Sequence, residues 1–179
     1  MVYVFLAEGF EEMEALTPID LLRRVDVPVT VVGVGSSIVK GAHGIGFTTD
    51  TCGEGLDFAD VELVVLPGGM PGTTNLDASP MVETCLKKAA EKDAVIAAIC
   101  AAPSVLGHKG LLQGKRATCF PGFEEELLGA VHTGAPVEKD GNIITARGAG
   151  VALEFALELV ALLKGEAVAK ALKESLQCA

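Results

Sequence analysis

The sequence predicts an α/β fold, a three-layer sandwich in which a mostly parallel central sheet carries helices on both faces. Three observations lead to this fold class. Segments with strand and helix patterns alternate along the chain. The strand segments are continuous apolar runs, which is typical of strands buried on both faces. One of these runs ends at Cys100, and a helix start follows almost at once.

The first half of the chain predicts strands that alternate with one clear helix. Runs of β-branched and apolar residues predict strands at residues 2–7, 27–34 and 61–66. Apolar residues recur at helical spacing over residues 11–25, which predicts a helix with one face on the sheet. Residues 35–60 are rich in glycine, so we expect irregular structure there, with a hairpin through Gly41, Gly44 and Gly46.

The second half continues the alternation to the end of the chain. Ser79 is a plausible N-cap for a helix that has Pro80 at its first position and runs to about Lys92. The other predicted elements are a strand ending at residue 99, a helix to about 109, a short strand near 116–120, a strand pair within 130–146, and helices at 151–163 and 166–176. No repeat or linker interrupts this order, so we expect a single domain over residues 1–179.

Composition and charge narrow the class of protein. Half of the residues are apolar, and the formal net charge is −10. Phosphate binding needs clustered lysine and arginine, so we expect no nucleic-acid partner. No apolar run approaches the length of a membrane span, and the first eight residues lack the pattern of a signal peptide. We therefore expect a cytoplasmic protein that does not act at a membrane.

Cysteines and histidines have no local metal or disulfide pattern. The five cysteines are widely spaced with no C-x-x-C pair, and the three histidines are equally scattered. The chain also lacks a complete dinucleotide fingerprint. We therefore expect neither a metal nor a nucleotide cofactor. Most of the thiols are expected to act as small apolar side chains in a reducing compartment.

Cys100 lies in the most informative segment of the sequence. The six apolar residues before it predict a buried strand, and Pro103 is tolerated only in the first turn of a helix. A cysteine between a strand end and a helix start lies on a sharp turn, where the free N–H groups of the helix favour a thiolate. This is the context of a nucleophile elbow, with sulfur in place of the serine oxygen.

Glu14 is the second candidate. On a helical projection Glu11 and Glu14 fall within the apolar arc of the first predicted helix, and Glu12 lies at its edge. Glu11 is equally explained as an acid that stabilises the helix N-terminus. A buried Glu14 needs a partner or a proton, although a solvated acid at a helix end remains an alternative. Protonated Glu14 could donate a hydrogen bond to a Cys100 thiolate, whereas ionised Glu14 would repel it.

Two backbone amides complete the candidate site. In an open parallel sheet the ligand lies beyond the carboxyl ends of the strands, where residues 8–11, 67–70 and 100–101 are expected. Gly68 and Gly69 favour either a tight turn without a ligand or a close approach of backbone N–H groups to an anion. Beside an elbow cysteine, the N–H groups of Gly69 and Ala101 become candidates for an oxyanion hole.

The chain resembles the DJ-1/ThiJ/PfpI superfamily, near the branch that contains the parkinsonism-associated protein and its bacterial relatives. The resemblance covers nearly the whole chain and rests on four motifs in order, at residues 11–15, 65–69, 97–103 and 145–150. It implies a flavodoxin-like fold and a homodimer. It also implies that Cys100 is a reactive, oxidation-prone cysteine, that Glu14 is its protonated partner, and that Gly69 and Ala101 supply backbone donors.

Three positions depart from the pattern of that superfamily. Phe120 stands where many members have a histidine near the active site, which removes a source of acid–base assistance. No histidine follows Cys100 directly, so the Cys-His dyad of protease-like members cannot form there. His43 takes the place of an arginine that helps at the dimer contact of relatives.

Two functional hypotheses follow. The first is a cofactor-independent thiol enzyme of the glyoxalase or deglycase type, which acts on α-oxoaldehydes or early glycation adducts in carbonyl and oxidative stress. The second is a redox sensor or chaperone whose Cys100 oxidises to a sulfinate without significant turnover. The same residues serve both hypotheses, so the sequence alone does not separate them.

Overall fold

A six-stranded sheet forms the centre of the computed structural model, which describes residues 1–178. The strands are β1 (Val2–Leu6), β2 (Val29–Gly33), β3 (Ile38–Lys40), β4 (Gly46–Thr48), β5 (Leu63–Leu66), β6 (Val95–Ile99), β7 (Arg116–Ala117), β8 (Val131–His132), β9 (Val137–Asp140) and β10 (Ile143–Ala146). The helices are α1 (Glu12–Arg24), α2 (Gly72–Asp77), α3 (Pro80–Glu91), α4 (Pro103–His108), α5 (Ala152–Lys164) and α6 (Glu166–Ser175).

The central sheet is parallel except at one edge. Its strand order is β2-β1-β5-β6-β10-β9, and only β9 runs antiparallel to its neighbour. In the register of the sheet, Val2 of β1 lies opposite Val29 of β2 and Leu63 of β5. The predicted mostly parallel sheet is therefore confirmed, and the carboxyl ends of β1, β5 and β6 lie at the same edge.

Alternate side chains of each central strand supply two separate cores. In β1, Val4 and Leu6 pack with α1, α5 and α6 on one face of the sheet. Tyr3 and Phe5 point to the other face, where they pack with α2, α3 and α4. Because both faces are covered, every residue of β1 is buried. This is the physical reason that the strands read as unbroken apolar runs.

Helix α2 is absent from the sequence prediction. Its residues include glycine, threonines, asparagine and aspartate, which are weak helix formers. The helix forms because tertiary contacts support it. The N–H of Thr73 donates to the carbonyl of Gly69 at 2.8 Å, and the side chain of Leu76 is fully buried. Packing thus overrides local propensity in this segment.

Several local predictions are confirmed with small shifts of bounds. Strands β3 and β4 form the predicted glycine-rich hairpin, and β9 pairs with β10. Ser79 caps α3 by accepting a hydrogen bond from the N–H of Val82 at 3.4 Å. The strand predicted near residues 116–120 is shorter, because β7 pairs only with the two-residue β8. No helix within residues 1–178 is both long enough and apolar enough to cross a bilayer.

Candidate active site

Cys100 occupies the sharp turn between β6 and α4. Its φ of +67° is in the left-handed region that favours glycine. Two backbone hydrogen bonds hold this strained residue: its N–H donates to the carbonyl of Ala146, and its carbonyl accepts from the N–H of Phe120, both at 2.8 Å. The side chain is half-buried. The strand-turn-helix geometry expected of a nucleophile elbow is present.

Glu14 lies in the first turn of α1 and faces the elbow. The side chain of Glu11 caps this helix by accepting a hydrogen bond from the N–H of Glu14 at 2.8 Å. The carboxyl of Glu14 is fully buried. Its Oε2 accepts the N–H of Gly68 at 2.9 Å, whereas Oε1 has no hydrogen-bond partner among the described residues. Glu11 therefore acts as a helix cap, and Glu14 carries the buried acid.

Gly68 lies between the two candidate side chains. A Cβ atom at this position would lie 2.6 Å from the Cβ of Cys100 and 2.7 Å from Oε2 of Glu14. Only glycine allows the loop after β5 to come this close. The sequence predicted a turn here, but it did not assign to the N–H of Gly68 the role of holding the Glu14 carboxyl.

Burial raises the pKa of Glu14 to about 7. The charge of nearby Glu11 acts in the same direction. The side chain of Cys100 and the N–H groups of Gly68 and Ala149 act in the opposite direction, because they favour the ionised carboxylate. At neutral pH the protonated and ionised forms of Glu14 are therefore both populated.

The thiol of Cys100 does not have the depressed pKa that its place before a helix predicted. Burial, followed by the nearby carboxyl of Glu14, raises the pKa of Cys100 to about 12. The N–H groups of Ala101 and Gly69 lower the pKa, but by less than these two effects raise it. The contribution of the Glu14 charge disappears when Glu14 is protonated, so any thiolate at this position depends on the proton of Glu14.

The backbone amides of Gly69 and Ala101 lie near the sulfur of Cys100. Both lower the pKa of Cys100, because an N–H group close to the sulfur favours the thiolate. Neither amide has another hydrogen-bond acceptor within residues 1–178. The loop holds Gly69 at a φ of +88°. Both amides are thus free to stabilise negative charge on sulfur or on an oxygen bonded to a nearby carbon.

A second acidic cluster lies at the start of α1. Atoms of Glu11, Glu12 and His43 lie within 4.8 Å of one another. Glu12 accepts hydrogen bonds at 2.8 Å from the N–H and the Nδ1 of His43, and these bonds lower the pKa of Glu12 and raise that of the exposed His43. Existing hydrogen bonds therefore account for this cluster without an ion.

Besides the Gly68 N–H, the sequence did not predict a second contributor to the site. The N–H of Ala149, in the short turn before α5, helps to lower the pKa of Glu14. The run of small residues 148–150 was part of a motif, but residue type alone does not show where an amide points.

His132, at the end of the short strand β8, is exposed. It lies outside the group formed by Cys100, Glu14, Gly68 and the two amides.

Replacing Glu14 with glutamine is expected to change how stability depends on pH. The pKa of Glu14 is about 7 in the folded protein against a usual 4.5, so the folded state holds the proton more tightly. Wild-type stability is then lost as the pH rises from 4.5 to 7. Glutamine does not titrate, so Glu14→Gln should not show this loss. Between pH 4.5 and 8 we expect the free energy of unfolding of the wild type to fall by about 3 kcal/mol relative to that of Glu14→Gln.

Urea unfolding at both pH values measures this difference. Glu91→Gln, an exposed change of the same kind at the end of α3, controls for the loss of one negative charge. A constant difference between Glu14→Gln and wild type across the pH range would show that Glu14 is not a buried acid.

Known proteins with a related sequence cover most of the chain. The model of the DJ-1/PfpI family matches residues 1–162. The Parkinson disease protein 7 homolog of Danio rerio is 39% identical over 178 residues, which is 97% of this chain and 94% of that protein. The glutathione-independent glyoxalase DJR-1.2 of Caenorhabditis elegans is 31% identical over 88% of this chain and 85% of its own length. The deglycase PYRAB04690 of Pyrococcus abyssi is 29% identical over 91% of this chain and 99% of its own.

A solved structure extends the similarity to three dimensions. The oxidised DJ-1 of Toxoplasma gondii superposes with a TM-score of 0.95 at 33% identity, and covers 99% of this chain and 98% of that one. The resemblance inferred from the four sequence motifs is thus confirmed over nearly the whole length. Sequence, fold and elbow geometry agree, and the chain belongs to the DJ-1/PfpI family.

Proposed function

We propose that the protein is a cofactor-independent thiol enzyme of the glyoxalase or deglycase type, which acts on small 2-oxoaldehydes or on early glycation adducts. The observation that carries this proposal is a fully buried glutamate whose pKa is about 7. It lies beside a half-buried elbow cysteine and two backbone amides near the cysteine sulfur. A carboxyl with this pKa can give and take a proton at neutral pH. Family members named as a glyoxalase and a deglycase support the reaction class.

The first step is attack of the Cys100 sulfur on the aldehyde carbon. A carbon–sulfur bond forms and the carbonyl electron pair moves to oxygen, which takes a proton to give a hemithioacetal. Protonated Glu14 is the proton source for that oxygen. The amides of Gly69 and Ala101 hold the oxygen while it is negatively charged.

The second step moves a proton between the two carbons of the substrate. Ionised Glu14 removes the proton from the former aldehyde carbon and returns it to the neighbouring carbon. The hydroxyl proton of the hemithioacetal passes to the oxygen on that neighbouring carbon, which leaves a 2-hydroxy thioester on Cys100. Water then cleaves the thioester, releases a 2-hydroxy acid and regenerates the thiol. With methylglyoxal the product is lactate. No electron donor or acceptor is required, because one carbon is oxidised while its neighbour is reduced.

Conversion of methylglyoxal to lactate tests this proposal. We expect the purified protein to form lactate without added glutathione or metal, and Cys100→Ala to reduce the rate by about three orders of magnitude. Cys52→Ala, which removes an exposed thiol, should retain the wild-type rate. Robust lactate formation by Cys100→Ala would refute the mechanism.

The pH dependence of thiol alkylation tests the shared proton. The reactive form holds one proton on Glu14 and none on Cys100, so it accumulates only after the pair has lost its first proton at about pH 7. We expect the iodoacetamide rate at Cys100 to rise through about pH 7 and then level off. In Glu14→Gln this inflection is lost, because glutamine does not titrate. An inflection near pH 7 in both proteins would exclude Glu14 as its source.

A second candidate function uses the same atoms without turnover. Cys100 would be oxidised by peroxide to a sulfinate, which protonated Glu14 and the two amides would stabilise. Cys100 is only partly buried, which favours access by a small oxidant, and a solved relative is described as oxidised. Two results together would favour this sensor or chaperone role. The protein would form no lactate from methylglyoxal, and mild peroxide would add two oxygen atoms to Cys100.

We also propose that the protein acts as a homodimer in the cytoplasm. The side chain of Met13 is 57% exposed on α1, and that of Ile45 is 55% exposed in the neighbouring β3–β4 hairpin. The N–H of Ile45 lies 3.4 Å from Oε1 of Glu12, so the two apolar side chains belong to adjacent surfaces. Contact with a second copy would cover them.

Sedimentation of Met13→Glu compared with wild type tests the dimer. We expect a two-subunit species for wild type and a shift toward the monomer for the variant, because a charge placed in an apolar contact is costly. Val131→Glu, which changes an exposed apolar residue on β8, is the matched control. A monomeric wild-type protein at micromolar concentration would refute the proposal.

A further inference from the structure

A cavity of about 410 Å³ opens beside the cysteine elbow. Phe120 and Pro121 form one side of it, and residues 147–151 form the other. Backbone hydrogen bonds connect both sides of the cavity to Cys100. The N–H of Cys100 donates to the carbonyl of Ala146, directly before residue 147, and the carbonyl of Cys100 accepts from Phe120. The position of the cavity relative to the elbow is therefore fixed by backbone hydrogen bonds.

Arg147 is the charged residue of this cavity. The chain's other arginines are each paired with a carboxylate: Arg23 with Asp50 at 2.7 Å, Arg24 with Asp20 at 2.8 Å and Arg116 with Glu138 at 3.2 Å. Within residues 1–178, Arg147 is exposed and forms no ion pair. The other residues that line the cavity are uncharged.

The walls of the cavity leave room for a ligand next to this charge. Gly148 lies against the ring of Phe120, and a Cβ atom at position 148 would approach that ring to 3.3 Å. The glycine therefore keeps the two walls close without filling the space between them. The rings of Phe120 and Pro121 give an apolar surface for a short carbon chain, and they bring no second charge.

We propose that Arg147 recognises a carboxylate or phosphate group on the compound that reacts with Cys100. The inference rests on the proposed function and deepens it, because it assigns anionic 2-oxoaldehydes as preferred substrates over neutral ones such as methylglyoxal. A guanidinium group binds either anion with two parallel hydrogen bonds. The aldehyde carbon lies at the sulfur, and the anionic group extends into the cavity toward Arg147.

Two alkylating agents of nearly equal size test the inference without any need for turnover. Iodoacetate carries one negative charge and iodoacetamide carries none, and both react with the same thiolate. We compare the rate constant of iodoacetate with that of iodoacetamide at Cys100. The thiolate fraction affects both rate constants equally, so their ratio depends only on how strongly the site attracts an anion. We expect this ratio to fall about threefold in Arg147→Gln, which is the effect of one partly exposed charge.

Two further variants make the result specific. Arg147→Lys keeps the charge and should restore most of the ratio. Arg24→Gln also removes one positive charge, but at the far end of α1, about 15 Å along the helix from Glu14. This variant should leave the ratio unchanged at physiological ionic strength, because salt screens charges at that distance. A ratio that is the same in wild type and Arg147→Gln, or that falls equally in Arg24→Gln, would overturn the inference.

Competition with simple anions separates the two kinds of anionic group. The rate of iodoacetamide labelling of wild type is measured with added phosphate and with added acetate, at constant ionic strength. If only phosphate slows labelling, the site binds a phosphate group. If only acetate slows it, the site binds a carboxylate. Both effects should disappear in Arg147→Gln, and protection that persists there would overturn the inference. If the protein forms no lactate but the iodoacetate ratio still depends on Arg147, the proposed reaction fails while the anion site remains.

Discussion

The proton shared by Glu14 and Cys100 is the constraint on which the rest of this site depends. The carboxyl is fully buried, the thiol is half-buried, and both have a raised pKa. Two negative charges so close together in a medium of low polarity are costly. The pair therefore keeps one proton over a wide range of pH, and the position of that proton decides whether the sulfur is a nucleophile.

The backbone around this pair is built to allow close approach. Gly68 brings the loop after β5 against both side chains, and its N–H holds one oxygen of Glu14. Strain at Cys100 is balanced by its hydrogen bonds to Ala146 and Phe120. The chemistry of the site therefore depends on backbone amides as well as on the two side chains. Such groups need no reorganisation when charge develops, since the fold already fixes them.

The same arrangement would serve both of the functions proposed for this site. Negative charge on a hemithioacetal oxygen and negative charge on a sulfinate are both stabilised by a nearby acid proton and free amides. What distinguishes the two roles is the surrounding surface. The proposed recognition of an anionic compound rests on the cavity that Arg147 lines beside the elbow.

The sequence by itself determined the order of the elements, the parallel sheet and the positions of Cys100 and Glu14. These depend on local patterns: unbroken apolar runs, a proline after a strand, and an acid within an apolar helix face. Four spaced motifs also determined the family. Each of these signals lies within a short stretch of chain, so it can be read without knowledge of contacts between distant residues.

The tertiary structure alone decided the remaining features. Helix α2 forms from weak helix-forming residues because its contacts support it. The pKa of Cys100 is raised because burial and the Glu14 carboxyl outweigh the N–H groups near the sulfur. The roles of the Gly68 amide and the unpaired Arg147 depend on neighbours more than fifteen residues away in the chain. Burial, charge pairing and the direction of an N–H group are properties of the packed molecule, and no local pattern of residues specifies them.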